Sequence, residues 1–406
     1  MSTLVALQLA GRRVLVAGGG PVAARRSAAL VAEGADVVVV APDACEPIRE
    51  QAARGELRWH RRDVREGDLD GAWLVHTATG DRAADGAVGR WAAERRVFCV
   101  DAADAARGTA RTPATATVGD LALGVVSTGA PDPARSAAVR DALAATLREG
   151  RVDLRARRPR AQGRVVLVGG GPGDVGLLTL AGRRALAEAD VVVTDRLGPT
   201  AVLDELAPGV EVVDVGKTPG HHPVPQHEIG RILVEHAQRG RLVVRLKGGD
   251  PFVYGRGGEE VLACREAGVP VEVVPGVSSA LAAPAAAGIP LTHRGTVAAL
   301  HVMNGHDGWD TAALAGLREG TCTVVVLMGV ASLGALVDEA LAAGVDAGTP
   351  AAVVEDATLP TQRVTRATVA ELPSAAAAVG VRAPAVVVLG AVAADGLLDP
   401  AVTMAP

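Results

Sequence analysis

Residues 12–43, "RRVLVAGGGPVAARRSAALVAEGADVVVVAPD", carry the pattern that sets the fold class. A short apolar run from Val14 to Ala17 leads into three glycines, a stretch with Ala, Leu and Val at helical spacing follows, and a second apolar run spans Val37 to Val40. That order is a βαβ unit of a parallel sheet. Gly18, Gly20 and Ala23 satisfy GxGxxG/A between strand and helix, where backbone N–H groups and the helix dipole can hold a pyrophosphate. Pro21 and Val22 lie in the same turn, and Asp43, just after Pro42, follows at the roughly 20-residue distance of a ribose contact. A tight packing turn would carry the same glycines, but strands in "AWLVHTAT" (72–79) and "RRVFCVDA" (95–102), with a helical stretch between, extend the sheet to about residue 112.

A second opening, "GRVVLVGGGPGDVGLLTLAGRRALAEADVVVTDRL" (163–197), repeats strand, glycines, helix and strand. It is not a second dinucleotide turn: Pro172 lacks an N–H, and the carboxylate of Asp174 would repel a diphosphate. Between the two openings, "LALGVVST" reads as a strand, "PDPARSAAVRDALAATLREG" as an amphipathic helix and "RARRPRAQG" as a basic, turn-prone linker. The expected division is therefore 1–112, 113–160 and 161–406.

A chain of 406 residues exceeds what one core usually supports, about 250–300 residues. Half the residues are apolar and few are aromatic, so the cores are built from Ala, Val and Leu. A net charge of -5, with no Lys/Arg run interleaved with aromatics, points away from nucleic acid. The four cysteines form no CxxC pair, which argues against a zinc ribbon or a disulfide framework. No basic segment precedes the first short apolar run and no apolar run is long enough for a membrane span, so a cytoplasmic protein without a membrane partner is expected. His221, His222 and His227 lie on a proline-interrupted stretch, and His301 and His306 form a second pair; neither has the register of a metal site, and no metal is expected.

Chemistry concentrates in the second half. Nearly every cation is arginine; the two lysines are Lys217, in "DVGKTPGHH", and Lys247, in "RLKGGDPF". The GKT of the first is no P-loop, because Glu211 stands where the leading glycine is needed. A lysine can lose its proton near neutral pH when buried and arginine cannot, so acid–base chemistry would explain Lys217 and geometry alone Lys247; two ordinary surface lysines would give the same sequence. Asp195 closes an apolar strand, and the carboxyl ends of parallel strands face the ligand crevice of an open sheet. Gly248 and Gly249 permit close backbone approach, and Asp250 can accept from amino or hydroxyl groups.

"VGGGPGDVGLLTL", "VVVTDRL", "VGKTPGHH", "VPQHEI", "RLVVRLKGGDPFVYGRGGEE", "VVPGVSSA" and "GIPLTHRG" together resemble the S-adenosylmethionine-dependent uroporphyrinogen-III C-methyltransferases, over about residues 162–395. With the first domain added, the chain resembles the bifunctional siroheme synthase architecture, a precorrin-2 dehydrogenase/ferrochelatase module fused to that methyltransferase. The resemblance implies an α/β chain: a Rossmann-like NAD domain, a small dimerisation segment, then the two-subdomain tetrapyrrole methylase fold (class III methyltransferase), split near 276–292. It implies S-adenosylmethionine contacts at Pro172, Gly248, Gly249, Asp250, Val253, Ser278, Ser279, Met328 and Ala357, with Asp195 as proton acceptor and Lys217 as proton donor. NAD contacts are expected at Gly18, Gly20, Pro21, Val22, Pro42 and Asp43.

The tetrapyrrole substrate bears eight carboxylates, for which Arg196 and Arg294 are the candidate partners. Thr194 replaces a usual tyrosine and Ala357 a common glycine. For the dehydrogenase base, an ungapped match places Ala103 where the family has aspartate, leaving Asp104 as the candidate and Asp101 as its rival. The segment between the modules is short, which argues against chelatase activity; residues 113–150 match those that pair two subunits, so a homodimer is expected. Three alternatives remain: a methyltransferase with an inactive first domain, a related methyltransferase acting later in cobalamin synthesis, and a regulatory binder of both cofactors.

Overall fold

Apolar runs without alternation are strands buried on both faces, and those of the N-terminal part form one parallel sheet. The computed structural model describes residues 3–157, 161–195, 198–216 and 224–398. The chain divides into two compact units, 1–145 and 146–406.

In the first unit the order is β1 (Arg13–Ala17), α1 (Pro21–Ala32), β2 (Asp36–Val40), α2 (Glu46–Ala53), β3 (Arg58–His60), β4 (Leu74–Thr77), α3 (Arg82–Glu94), β5 (Phe98–Asp101), β6 (Ala114–Val118), β7 (Leu121–Val125) and α4 (Pro133–Arg148). The parallel sheet runs β3-β2-β1-β4-β5, so the order reverses between β1 and β4. Val14, Val16, Val37 and Val39 pack with Ala23, Leu30 and Ile48 on one face; Leu15, Val38 and Val40 pack with Val88 and Ala92 on the other. The edge strand β3 escapes sequence reading because its Arg, Trp and His carry no apolar run. The strand read in "LALGVVST" is β7, and it forms an antiparallel hairpin with β6 that the sequence reading omits. Helix α4 forms, but only Ser136 and Ala144 are buried on it, while Val139 and Leu143 stay exposed.

The second unit begins with β8 (Arg164–Gly169), α5 (Leu180–Glu188), β9 (Val191–Thr194), β10 (Glu211–Asp214), α6 (Gln226–Gln238), β11 (Leu242–Lys247), α7 (Gly257–Glu266), β12 (Val271–Val274) and α8 (Ser279–Ala286). Its strands form an all-parallel sheet, β10-β9-β11-β8-β12. Then follow β13 (Ala299–Asn304), α9 (Thr311–Arg318), β14 (Cys322–Leu327), α10 (Leu333–Ala342), β15 (Pro350–Glu355), β16 (Arg363–Thr368), α11 (Leu372–Val379) and β17 (Ala385–Leu389). This second sheet, β13-β14-β17-β15-β16, is mixed: only β13 and β14 are parallel. Val324, Val326, Val353 and Val387 pack on α9, α10 and α11 through Leu317, Leu336 and Leu372. The opposite face takes α8, which follows β12 of the parallel sheet in chain order, through Ala280 and Ala283.

Candidate active sites

The two glycine turns, so alike in sequence, are built differently. In the first unit α1 starts at Pro21, directly after the turn, with Gly20 as N-cap and, among the described residues, no side chain capping the first N–H groups. Gly18 has φ +126, and a Cβ there would lie 2.1 Å from the carbonyl oxygen of Ala78, in the loop after β4; one at Gly19 would lie 1.9 Å from that of Asp43. Gly20 faces open space. Backbone crossing therefore demands the first two glycines, and the third leaves the uncapped helix start accessible, at the point where the strand order reverses. These residues fit a dinucleotide. Pro42 and Asp43 follow β2, where the Asp43 carboxylate accepts from Arg49 at 2.9 Å; hydrogen bonds from the Ala44 N–H and Arg49 hold its pKa below the usual range.

At the carboxyl end of β5 the two rival aspartates have different surroundings. Asp101 is buried, and its Oδ1 accepts from the N–H groups of Ala103 and Asp104, each at 2.9 Å. Asp104 is accessible to solvent; its Oδ1 accepts from Ala106 N–H at 3.0 Å. Asp101 shapes the turn that presents Asp104. His76, on the neighbouring strand β4, is buried, and among the described residues its Nδ1 has no hydrogen-bond partner; burial followed by the charge of Arg26 lowers its pKa to about 4. His76 lies in the "AWLVHTAT" strand, which the sequence reading used only to extend the sheet; a histidine in an otherwise apolar strand is the signal.

In the second unit the turn after β8 does not open a helix. Asp174 caps a short 3₁₀ turn, its Oδ1 accepting from Gly176 N–H at 2.7 Å, and α5 starts only at Leu180 under a Thr179 cap. The turn instead meets the loop after β11: Gly171 and Gly249 exchange backbone hydrogen bonds of 3.1 and 2.7 Å. Gly276, after β12, completes the junction, since its Cβ would lie 2.4 Å from Gly249 O and 2.6 Å from Gly169 C and O. Asp250 fastens these loops, accepting from Gly276 N–H at 3.0 Å and Phe252 N–H at 2.8 Å. Its carboxylate is thus partly engaged by backbone, a structural role the sequence reading did not assign. Ser278 caps α8 through Ala280 N–H, and the space beside Gly249 is bounded by Ser279 N, 3.5 Å from the Cβ position.

The mixed-sheet half of the unit closes over these loops. Thr358 Oγ1 accepts from Asp174 N–H at 3.1 Å, and Leu359 packs on Gly173, which brings Ala357 to the turn that carries Pro172. Tyr254 donates to Val302 O at 2.9 Å, with Val253 exposed beside it. Tyr254, Arg256, Met328, Asp356 and Thr358 all have positive φ, and five such non-glycine residues at strand-end loops mark backbone held in place by its surroundings. Backbone groups, small residues and exposed apolar side chains suit a nucleoside with a cationic sulfonium and no phosphate. Arg294 is exposed in the tight turn between His293 and Val297. A depression of about 460 Å³ lined by Val152, Asp153, Arg183, Leu186, Glu205 and Pro208, among others, includes none of the described candidate residues.

Asp195 follows β9, and Arg245 donates to its Oδ2 from Nη2 at 2.9 Å. Arg245 and Lys247 alternate along β11 and so share the face toward α6 and α7. Both are buried, and both donate to one oxygen, Oε1 of Glu260 on α7, at 3.1 and 3.0 Å; Gln226 Nε2 of α6 adds a third donor at 3.1 Å. Burial, then the charge of Arg245, lowers the pKa of Lys247, and Glu260 opposes the shift. Sequence reading missed Arg245 and Glu260. Their signal is two cations at i and i+2 in an apolar strand. Lys217, Arg196, His221 and His222 lie outside the described residues.

Residues 164–373 match the family model of the tetrapyrrole (corrin/porphyrin) methylases, and residues 5–114 match that of a putative NAD(P)-binding domain. Siroheme synthase 3 of Aeromonas hydrophila is 34% identical, with 95% of this chain and 93% of that protein covered. The chain belongs to the siroheme synthase family. The siroheme synthase of Xylella fastidiosa is 35% identical over 94% of this chain and 92% of its own length. Among solved structures, a cobalt precorrin-4 methyltransferase aligns with a TM-score of 0.51 and 28% identity, covering 57% of this chain and 96% of that one. Family membership and the α/β fold with its methylase and NAD-binding parts agree with the sequence reading. Among the described residues no helix is long and apolar enough to cross a membrane.

Proposed function

We propose that the second unit methylates uroporphyrinogen III to precorrin-2 with S-adenosylmethionine, and that the first unit oxidises precorrin-2 to sirohydrochlorin with NAD. The reading rests on one observation: the loops after β8, β11 and β12 join through Gly171, Gly249 and Gly276 around Asp250, beside Asp195 at the end of β9, in a chain related to siroheme synthases over 95% of its length. S-adenosylmethionine supplies an electrophilic methyl group when bound, held by Pro172, Gly248, Gly249, Asp250, Val253, Ser278, Ser279, Met328 and Ala357. Methyl transfer makes the pyrrole ring cationic. The methylated carbon carries no hydrogen, so neutrality is restored by loss of a proton from another position of the substrate; the Asp195 carboxylate stabilises the charge and accepts that proton, Lys217 is the proton donor, and Arg196 and Arg294 bind substrate carboxylates.

In the first unit Gly18, Gly20, Pro21, Val22, Pro42 and Asp43 hold NAD, which supplies the hydride acceptor, and Asp104 takes the proton. The accessibility of Asp104 and the backbone engagement of Asp101 support this assignment. We assign residues 1–112 to oxidation, 113–160 to pairing with a second copy and 161–406 to methylation, in the cytoplasm. Exposed Leu121, Val139 and Leu143 support the pairing role. The similarity to full-length siroheme synthases favours this substrate over a later cobalamin intermediate.

The test is a single-pot anaerobic reaction of the protein with uroporphyrinogen III and S-adenosylmethionine, with and without NAD, followed by absorbance and product mass. Two added methyl groups and an NAD-dependent loss of two hydrogens are expected. Two methyl groups with no response to NAD would reduce the function to methylation, and no methyl transfer would overturn the reading. Substituting Asp195 or Lys217 by Ala is expected to lower methylation sharply, and wild-type turnover in either would remove that assignment.

A further inference from the structure

Glu260 is buried in the second unit, and the chemistry so far leaves it without a role. We propose that Glu260 is a positioning residue for Asp195, acting through Arg245. The inference rests on reading Asp195 as the proton acceptor.

The geometry is a short chain of contacts. Glu260 Oε1 accepts from Arg245 Nε at 3.1 Å, and Nη2 on the same guanidinium donates to Asp195 Oδ2 at 2.9 Å. Nη1 is tied to the carbonyl oxygens of Leu246 and Val193, at 2.8 and 3.4 Å. A guanidinium is planar and rigid, so fixing Nε and Nη1 also fixes the direction in which Nη2 points. The Arg245 side chain is 3% exposed and that of Glu260 0%, whereas Asp195 is 23% exposed at the edge of the site. The rigid end of the chain is thus in the core and the reactive end is at the surface of the cleft.

Charge supports the same reading. Two cations, Arg245 and Lys247, are buried on one face of β11, and Glu260 is the anion between them and the helices. The other groups facing this cluster, among the described residues, are Gln226 on α6, Glu259 and Cys264 on α7, Arg256 at the start of α7 and Asp195 itself. Without Glu260, Lys247 would keep only the more exposed Glu259 and Asp195 nearby among the described anions, and Arg245 would lose the contact that sets its plane. Removing one member of a buried, hydrogen-bonded ion group leaves the others uncompensated. Glu260 Oε2 has no hydrogen-bond partner among the described residues, so the carboxylate's contribution runs through Oε1 alone, the atom that holds Arg245.

The test is a double-mutant cycle between Glu260→Gln and Asp195→Asn in the full-length protein, read as single-turnover methyl transfer from labelled S-adenosylmethionine, with affinity for S-adenosylhomocysteine measured by calorimetry. Glu260→Gln keeps the shape and should keep the fold. A drop of about tenfold in turnover is expected, with cofactor affinity within about twofold of wild type, as for a group that orients a catalytic residue. In the Asp195→Asn background the same substitution should have almost no further effect, because the group it positions is gone. Wild-type turnover in Glu260→Gln overturns the proposal, as does a double variant whose loss is the product of the two single losses, or cofactor binding that falls in step with turnover. Wild-type turnover in Asp195→Asn alone would instead overturn the reading of Asp195.

Discussion

Substituting Gly276 by Ala tests whether the three-loop junction makes the methyl-donor site. The new Cβ would lie 2.4 Å from Gly249 O and 2.6 Å from Gly169 C and O, all backbone atoms that cannot rotate away. Relieving the shortest contact to 3.0 Å requires the loops to separate by about 0.6 Å at least. Overpacking of this kind costs about 1–3 kcal/mol. The same movement lengthens the 3.0 Å bond from Gly276 N–H to Asp250, a charge-assisted contact worth about 1.5–3 kcal/mol when intact. Half of that combined cost, incurred on binding to bring the loops back to the site geometry, corresponds to a loss of affinity on the order of tenfold to a hundredfold. Calorimetric titration with S-adenosylhomocysteine measures it, and hydrogen exchange in peptides covering 164–171 and 245–251 reports the loosened loops. The matched control is Gly258→Ala in α7, where no atom lies within 4 Å of the Cβ and φ is not left-handed. That change should leave affinity unaltered and stabilise the helix by about 0.5–1 kcal/mol. Affinity within twofold of wild type in Gly276→Ala, with unchanged exchange, would refute the reasoning.

The first unit should lose stability on acidification through His76. Its pKa is lowered from 6.5 to about 4 by burial, so below pH 6.5 the unfolded chain binds a proton that the native chain does not, and stability falls until about pH 4. The full effect is about 3 kcal/mol. His76→Leu should remove that part of the pH dependence, visible as the difference between variant and wild type in hydrogen exchange of β4 at pH 7 and pH 4.5; identical slopes would remove the attribution. Asp104→Ala is expected to abolish NADH formation from precorrin-2 and leave methylation intact, measured in one assay by absorbance and product mass. Asp101→Asn should mainly loosen the turn, since it weakens acceptance from two N–H groups; oxidation surviving in Asp104→Ala but lost in Asp101→Asn would exchange the two roles.

Much of the architecture was legible because local rules decide it. Continuous runs such as Val37–Val40 and Val191–Val193 have to be strands buried on both faces, and glycines directly after them have to be turns at the carboxyl ends. Asp195, Gly249 and Asp250 are recognisable from that position alone. Weak strands such as β3 and β6 are not, because edge and hairpin strands with polar residues lack a continuous run.

The amino-acid sequence by itself determined the two α/β units, the pyrophosphate-type turn of the first, the different turn of the second, and the strand-end residues proposed to carry the chemistry. Each depends on residues close in the chain. Only the tertiary structure decided that Asp101 holds a turn while Asp104 stays accessible, that Gly276 meets Gly169 and Gly249, and that Glu260 reaches Asp195 through Arg245. Those roles depend on groups up to 107 positions apart in the numbering, such as Gly169 and Gly276, or on which of two like carboxylates loses its contact with water. Burial and long-range hydrogen bonding exist only once the sheets have assembled, so no local pattern encodes them.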